Sequence, residues 1–194
     1  AGGQPGVSSA NGNGRETTFF GPRAIVIDPQ NRLFVSDTGN KRVQVFDAEG
    51  NFLAQFGKEG SANGEFSEPV GLAVDANGNV YVADTWNKRI QVFDSNFQFV
   101  RAWTVAAWEN MDPALLQTVD HKPFLAIRES TLYVSSPRTS EVLAYTLSGE
   151  LTPSELTMPE ASLPTGLAVD GDMLLVTDAN TGQILQFRVN AKIQ

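Results

Sequence analysis

The sequence has no cysteine and a single histidine, His121, among 194 residues. The first absence excludes disulfides, thiolate metal sites and a cysteine nucleophile. The second excludes a zinc site built from several imidazoles, and any histidine dyad. No stretch approaches the run of about eighteen apolar residues that a membrane-crossing helix needs, so no membrane insertion by this segment is expected. The N-terminus also lacks a basic stretch followed by an apolar one, so no signal peptide is expected, although a processed secreted chain would read the same way. Cations are few: 14 Lys and Arg stand against 22 Asp and Glu, a formal net charge of −8. Phosphate backbones are held by clustered cations, so the balance argues against a nucleic-acid partner. What remains is an ordinary globular mix, 41% hydrophobic and 19% charged, long enough to bury a core.

The dominant feature is internal repetition. Four segments align, beginning at Gly21, Glu68, His121 and Leu163. Their equivalent positions Ile25, Leu72, Leu125 and Leu167 are separated by 47, 53 and 42 residues, a spacing that suits one four-stranded propeller blade per repeat. Each begins with a short apolar run (AIVI, GLAV, FLAI, GLAV), followed in most repeats by an Asp/Asn/Gly/Pro turn. A second strand follows (LFVSD, VYVAD, LYVSS, LLVTD), then a short loop and a third strand with period-2 alternation (RVQVFD, RIQVFD, EVLAYT, QILQFR). The first two repeats add a fourth strand, at residues 52–56 and 97–103. A helical reading fails, because turn residues interrupt every four to six positions and no 3.6-residue apolar period survives.

The pattern P-x-G-[LI]-A-V-D … [VL]-[YF]-V-[AS]-D-T-x-N-x-R-[VI]-Q-V-F resembles the NHL repeat family. Repeat two matches it almost completely over residues 69–93, and repeat one nearly as well, with Ala24 where the family favours Gly. The linker at residues 60–69 (GSANGEFSEP) also resembles the family's inter-blade loop. Repeats three and four keep the strands but lose signature residues: Ser136 replaces the Asp, and Glu141 stands where Arg42 and Arg89 stand. The resemblance implies an all-β fold, a β-propeller of four-stranded antiparallel blades, with blades at about 21–57, 68–103, 121–156 and 163–190. Four repeats fall short of the six blades usual in the family. Three explanations stay open: a part of a larger parent chain, four blades closing alone, or a homodimer completing the ring. Residues 1–20 read as a linker or as a closing segment that supplies the outer strand missing from repeat four.

The recurring polar residues Asp37, Asn40, Asp84, Asn87 and Asp178 read as structural turn residues, since structural roles recur in every blade and a catalytic site occurs once. On that reading the Asp side chains accept backbone N–H groups within the loop between strands two and three. Asn40 and Asn87 take left-handed turns, and the Arg heads pair with carboxylates. Function is expected where the repeat breaks. Trp86 stands where repeat one has Gly39, on a loop expected to face a recognition surface. The insertion at residues 105–120 carries Trp108 and Met111 and leads to His121; Asp112-Pro113 reads as a helix start within it. The candidate ligand-binding face comprises Trp86, Trp108, Met111, His121, Arg138 and Arg23, whereas Lys41-Arg42 and Lys88-Arg89, local basic pairs with acidic neighbours, read as solvated rim charges. No catalytic set of nucleophile, base and orienting group is discernible, so no enzyme and no cofactor are expected. Calcium held by Asp28, Asp75 and Asp170, or by Asp37, Asp84 and Asp178, remains open. The reading that follows is a non-catalytic binding or scaffolding module for a protein or peptide partner. An extracytoplasmic carbohydrate- or metal-binding accessory domain of a bacterial envelope enzyme, and a calcium-dependent propeller hydrolase or lyase, are the alternatives.

Overall fold

A computed structural model describes residues 18–109, 122–153 and 156–189. Among these residues the chain is all-β apart from short 3-10 turns, and its strands form antiparallel sheets, each the meander of a propeller blade. The first sheet comprises β1 (Ile25–Ile27), β2 (Leu33–Asp37), β3 (Arg42–Phe46) and β4 (Phe52–Phe56). The second comprises β5 (Pro69–Val74), β6 (Val80–Asp84), β7 (Arg89–Phe93) and β8 (Phe99–Thr104). The third comprises β9 (Leu125–Arg128), β10 (Thr131–Ser136), β11 (Glu141–Thr146) and a two-residue β12 (Leu151–Thr152). The fourth holds three described strands, β13 (Pro164–Asp170), β14 (Met173–Asp178) and β15 (Gln183–Arg188). Strand order follows chain order in every sheet.

In blades one and two the hairpins close on aspartate turns. Asp28 Oδ1 accepts the N–H groups of Gln30 and Arg32, and Asp75 Oδ1 those of Asn77 and Asn79. Asp47 and Asp94 repeat the arrangement before the fourth strands. A carboxylate that satisfies two turn amides makes the reversal local, which is why the pattern survives in sequence. Phe97 departs from expectation. It belongs to the turn rather than to β8, with φ at +64°, where the equivalent of blade one is Gly50. Its ring compensates by stacking on Phe56, 5.2 Å between centroids and 6° between planes.

The chain divides into two compact units, one ending at Ala102 and the other beginning at Trp103. Period-2 alternation sets the core of the first. Val26, Phe34 and Val45 are cross-strand partners on one face of the first sheet, and they pack with Val43, Phe56 and Phe66 against Leu72, Val80, Val82 and Phe93. The opposite face carries Ile25 and Ile27, each 62% exposed. In the second unit Ala126, Tyr133, Val142 and Ala144 pack with Leu174, Val176 and Val189. A fourth strand that the sequence does not signal, β12, completes the third sheet in two residues.

Candidate functional site

The signature polar residues of blades one and two converge on one buried carboxylate each. Asp37 is buried at the end of β2. Its Oδ1 accepts the N–H of Phe20 at 2.7 Å. Its Oδ2 accepts Asn40 Nδ2 at 2.8 Å, Arg42 Nε at 2.8 Å and Gln44 Nε2 at 2.9 Å. Asn40 and Arg42 also donate to the carbonyl of Thr18. Blade two repeats the clamp. Asp84 Oδ1 accepts the N–H groups of Ser67 and Glu68, and its Oδ2 accepts Asn87, Arg89 and Gln91. Arg89 and Asn87 then hold the carbonyls of Ala62, Glu65 and Gly60. The backbone N–H groups that these carboxylates accept therefore belong to the chain segment arriving at each blade and not, as expected from sequence, to the loop between the second and third strands, which they hold through the side chains of Asn40 and Asn87. The left-handed residues are also one position later than expected: Lys41 and Lys88, each at φ +56°, follow 3-10 turns at Thr38–Asn40 and Thr85–Asn87. The Arg–carboxylate pairs form as expected, Arg42 with Asp37 and Arg89 with Asp84. Gln44 and Gln91 complete the clamps, a role visible in hindsight in their recurrence within R-[VI]-Q-V-F.

Blades three and four keep less of this. Ser136 stands in for the aspartate and receives Thr139 Oγ1. In blade four Asp178 Oδ1 accepts the N–H of Leu163 at 2.9 Å and of Asn180 at 3.0 Å, but its buried Oδ2 has no hydrogen-bond partner. The Leu163 amide and its neighbours hold the Asp178 carboxyl below its ordinary range. Strand register explains the orphan. Gln183 opposes Asp178 as Arg42 opposes Asp37, and Leu185 opposes Val176 as Gln44 opposes Val35. The equivalent of Asn40 is Thr181.

Trp86 projects from the 3-10 turn of blade two and is 44% exposed, with Lys41 Nζ 5.3 Å from the centre of its ring. On blade one the matching position is Gly39. A Cβ there would lie 2.1 Å from the ring of Phe20, which is itself 68% exposed. Lys41 and Trp86 therefore belong to neighbouring, structurally equivalent loops, and Phe20, on the segment arriving at blade one, lies against the first of them. The sequence offered no signal for Phe20, which precedes the first repeat.

The other expected ligand residues are scattered. Trp108 is 1% exposed and its indole Nε1 is buried, so its ring belongs to the interior and not to a binding face. Burial of a large aromatic outweighs the cost of one unpaired N–H, a balance that loop composition does not reveal. Arg23 is half-buried and Arg138 exposed. Met111 and His121, and the helix start at Asp112-Pro113, lie outside the described residues. Asp28 and Asp75 are turned into their own hairpins. Among the described residues no three His, Cys, Asp or Glu side chains are grouped to hold a metal ion, and no helix is long and apolar enough to cross a membrane.

Two segments, residues 19–46 and 66–93, match the profile of the NHL repeat. A 54-residue stretch is 39% identical to the protein brain tumor of Drosophila melanogaster, covering 28% of this chain and 5% of that protein. Among solved structures, a streptogramin B lyase is similar with a TM-score of 0.57 at 14% identity, over 88% of this chain and 55% of the other. The nidogen/laminin complex contains a chain similar with a TM-score of 0.64 at 16% identity, over 86% and 60%. The chain thus spans only part of the length of these relatives, and likeness to solved structures at such identities speaks for the fold alone.

Proposed function

We propose that this chain, an NHL-repeat β-propeller, is a non-catalytic binding module that engages a protein or peptide through the loop face carrying Phe20, Lys41 and Trp86. One observation carries the reading. The polar residues that recur from blade to blade are consumed in holding the chain together, whereas Trp86 breaks the repeat, stands half-exposed and bears a lysine ammonium over its ring. Exposed tryptophan beside a cation is the composition of an interface anchor: large contact area with little rotamer entropy to lose. A chain of similar fold in the nidogen/laminin complex supports protein engagement by analogy of architecture. The lyase of similar fold supplies the same kind of analogy for an enzyme.

The test is a displayed peptide library selected on the whole chain, followed by calorimetric titration of the selected peptides. Trp86→Ala is expected to weaken binding about thirty-fold and Lys41→Ala about five-fold, with thermal unfolding unchanged. Selection of no peptide, or affinities indifferent to both substitutions, overturns the proposal.

A further inference from the structure

We infer that the partner segment is acidic: an aspartate or glutamate of a protein partner docks on the Lys41 ammonium, and an apolar side chain beside it lies against Trp86 and Phe20. The inference rests on the protein-binding reading of this face and names the chemistry that the face selects. Two observations carry it. The first is the state of Lys41. Its backbone is set at φ +56° at the end of the 3-10 turn, with its N–H donated to the carbonyl of Thr38 at 3.2 Å, so the side chain starts from a fixed position. Its ammonium stands 5.3 Å from the centre of the Trp86 ring, and among the described residues no carboxylate lies within ion-pair distance of it. An indole face attracts the charge but supplies no lone pair, and an ammonium carries three N–H donors. A carboxylate satisfies them with charge-assisted bonds.

The second observation is how charge is divided between the two ends of blades one and two. In each antiparallel meander the first and third turns lie at one end, and the loop between the second and third strands lies at the other with the arriving segment. The turn end holds Asp28, Asp47, Glu49, Asp75 and Asp94, with Arg32 paired to Asp28. At the loop end Asp37, Asp84 and Glu68 are buried, and Glu65 lies 3.3 Å from Lys58. That leaves Glu59 as the exposed acid there, with Lys41 and Arg23 at the same end. In a chain of net charge −8, an acidic segment is repelled by the turn end and admitted at the loop end. A nucleic acid is matched less well. Its phosphate backbone needs a cluster of cations, and Arg42 and Arg89 are already neutralised by Asp37 and Asp84.

The probe is a displayed library of random short peptides, selected in parallel on the full chain and on Lys41→Gln. On the native chain, aspartate or glutamate next to an aromatic or branched apolar residue is expected to be enriched. On Lys41→Gln the apolar residue stays enriched and the acid does not. A selected peptide remade with the acid as its amide should bind the native chain about five-fold more weakly and Lys41→Gln equally well, and Lys41→Arg should keep the difference. Selected peptides without any acid preference overturn the inference and leave the protein-binding face standing, as does an acid preference that survives Lys41→Gln. Selection of no peptide overturns both. Tighter binding of a short oligouridine than of the selected peptides overturns the inference in favour of a nucleic acid.

Discussion

Replacing Asp84 and Asp178 by asparagine separates a saturated clamp from an unsaturated one with the same chemical change. In Asp84→Asn one oxygen becomes an NH2 group. Placed at Oδ2, it confronts Asn87 Nδ2, Arg89 Nε and Gln91 Nε2 at 2.8, 2.9 and 3.2 Å, all of them donors. Placed at Oδ1, it confronts the backbone N–H groups of Ser67 and Glu68. Either way a charge-assisted bond to arginine is lost along with neutral bonds, and buried donors are left unpaired. Such losses sum to about 3–5 kcal/mol. Asp37→Asn, with the same three side-chain donors, should cost about the same. In Asp178→Asn the NH2 group replaces an oxygen that bonds to nothing, while Oδ1 keeps Leu163 and Asn180. The cost should stay below about 1 kcal/mol. Urea unfolding followed by circular dichroism measures the contrast, expected as a midpoint shift of about 2 M for Asp84→Asn and a few tenths for Asp178→Asn. If Asp178→Asn is as damaging as Asp84→Asn, the hydrogen-bond accounting behind the clamp is wrong.

Three further outcomes follow from the packing. Burial, with Asp75 second, pushes the Tyr81 phenol up to about 12. Its folded value then lies above its unfolded one, so its contribution is complete below pH 10 and lost as pH rises towards 12. A loss of up to about 3 kcal/mol, absent in Tyr81→Phe, should appear in alkaline unfolding curves. The Asp178 carboxyl is shifted the other way, chiefly by the Leu163 amide, so its contribution is present above the ordinary carboxylate range and fades as pH falls through its lowered folded value; acid unfolding of Asp178→Asn should lack that component. Gly39→Ala drives a Cβ into Phe20, 2.1 Å from a ring carbon and 2.5 Å from the backbone oxygen, and should cost about 1–3 kcal/mol in thermal or urea unfolding.

Much of the fold was legible because propeller blades are written in local terms. Aspartate turns in blades one and two, an apolar residue every second position and a strand length of about five residues are each set by neighbours in sequence, so Ile25, Leu72, Leu125 and Leu167 fall on equivalent positions. The clamps were half legible. That Asp37 and Asp84 are structural follows from their recurrence, but their backbone partners Phe20, Ser67 and Glu68 lie 16 or 17 residues upstream, and no turn rule reaches that far. Phe97 falls within the strand expected at residues 97–103, while the turn demands a left-handed residue there and accepts a phenylalanine because Phe56 and Phe34 hold its ring. Trp108 was assigned to a surface for its place in an insertion, where packing in fact buries it.

The candidate face exposes a more specific limit of reading by alignment. In blade two the residue after Thr85 is Trp86, and the segment arriving at the blade offers the small Ser67 beside the carboxylate. In blade one the roles are exchanged. The loop residue is Gly39, and the arriving segment brings Phe20, whose ring occupies the space that a side chain at position 39 would take. Aligned by sequence, the two repeats differ at both positions and neither difference explains the other. Placed in space, each loop presents one exposed aromatic ring, delivered from opposite sides of the same clamp. Two exposed rings that reach equivalent loops by different routes support the recognition role proposed for that face more strongly than the exposure of Trp86 alone.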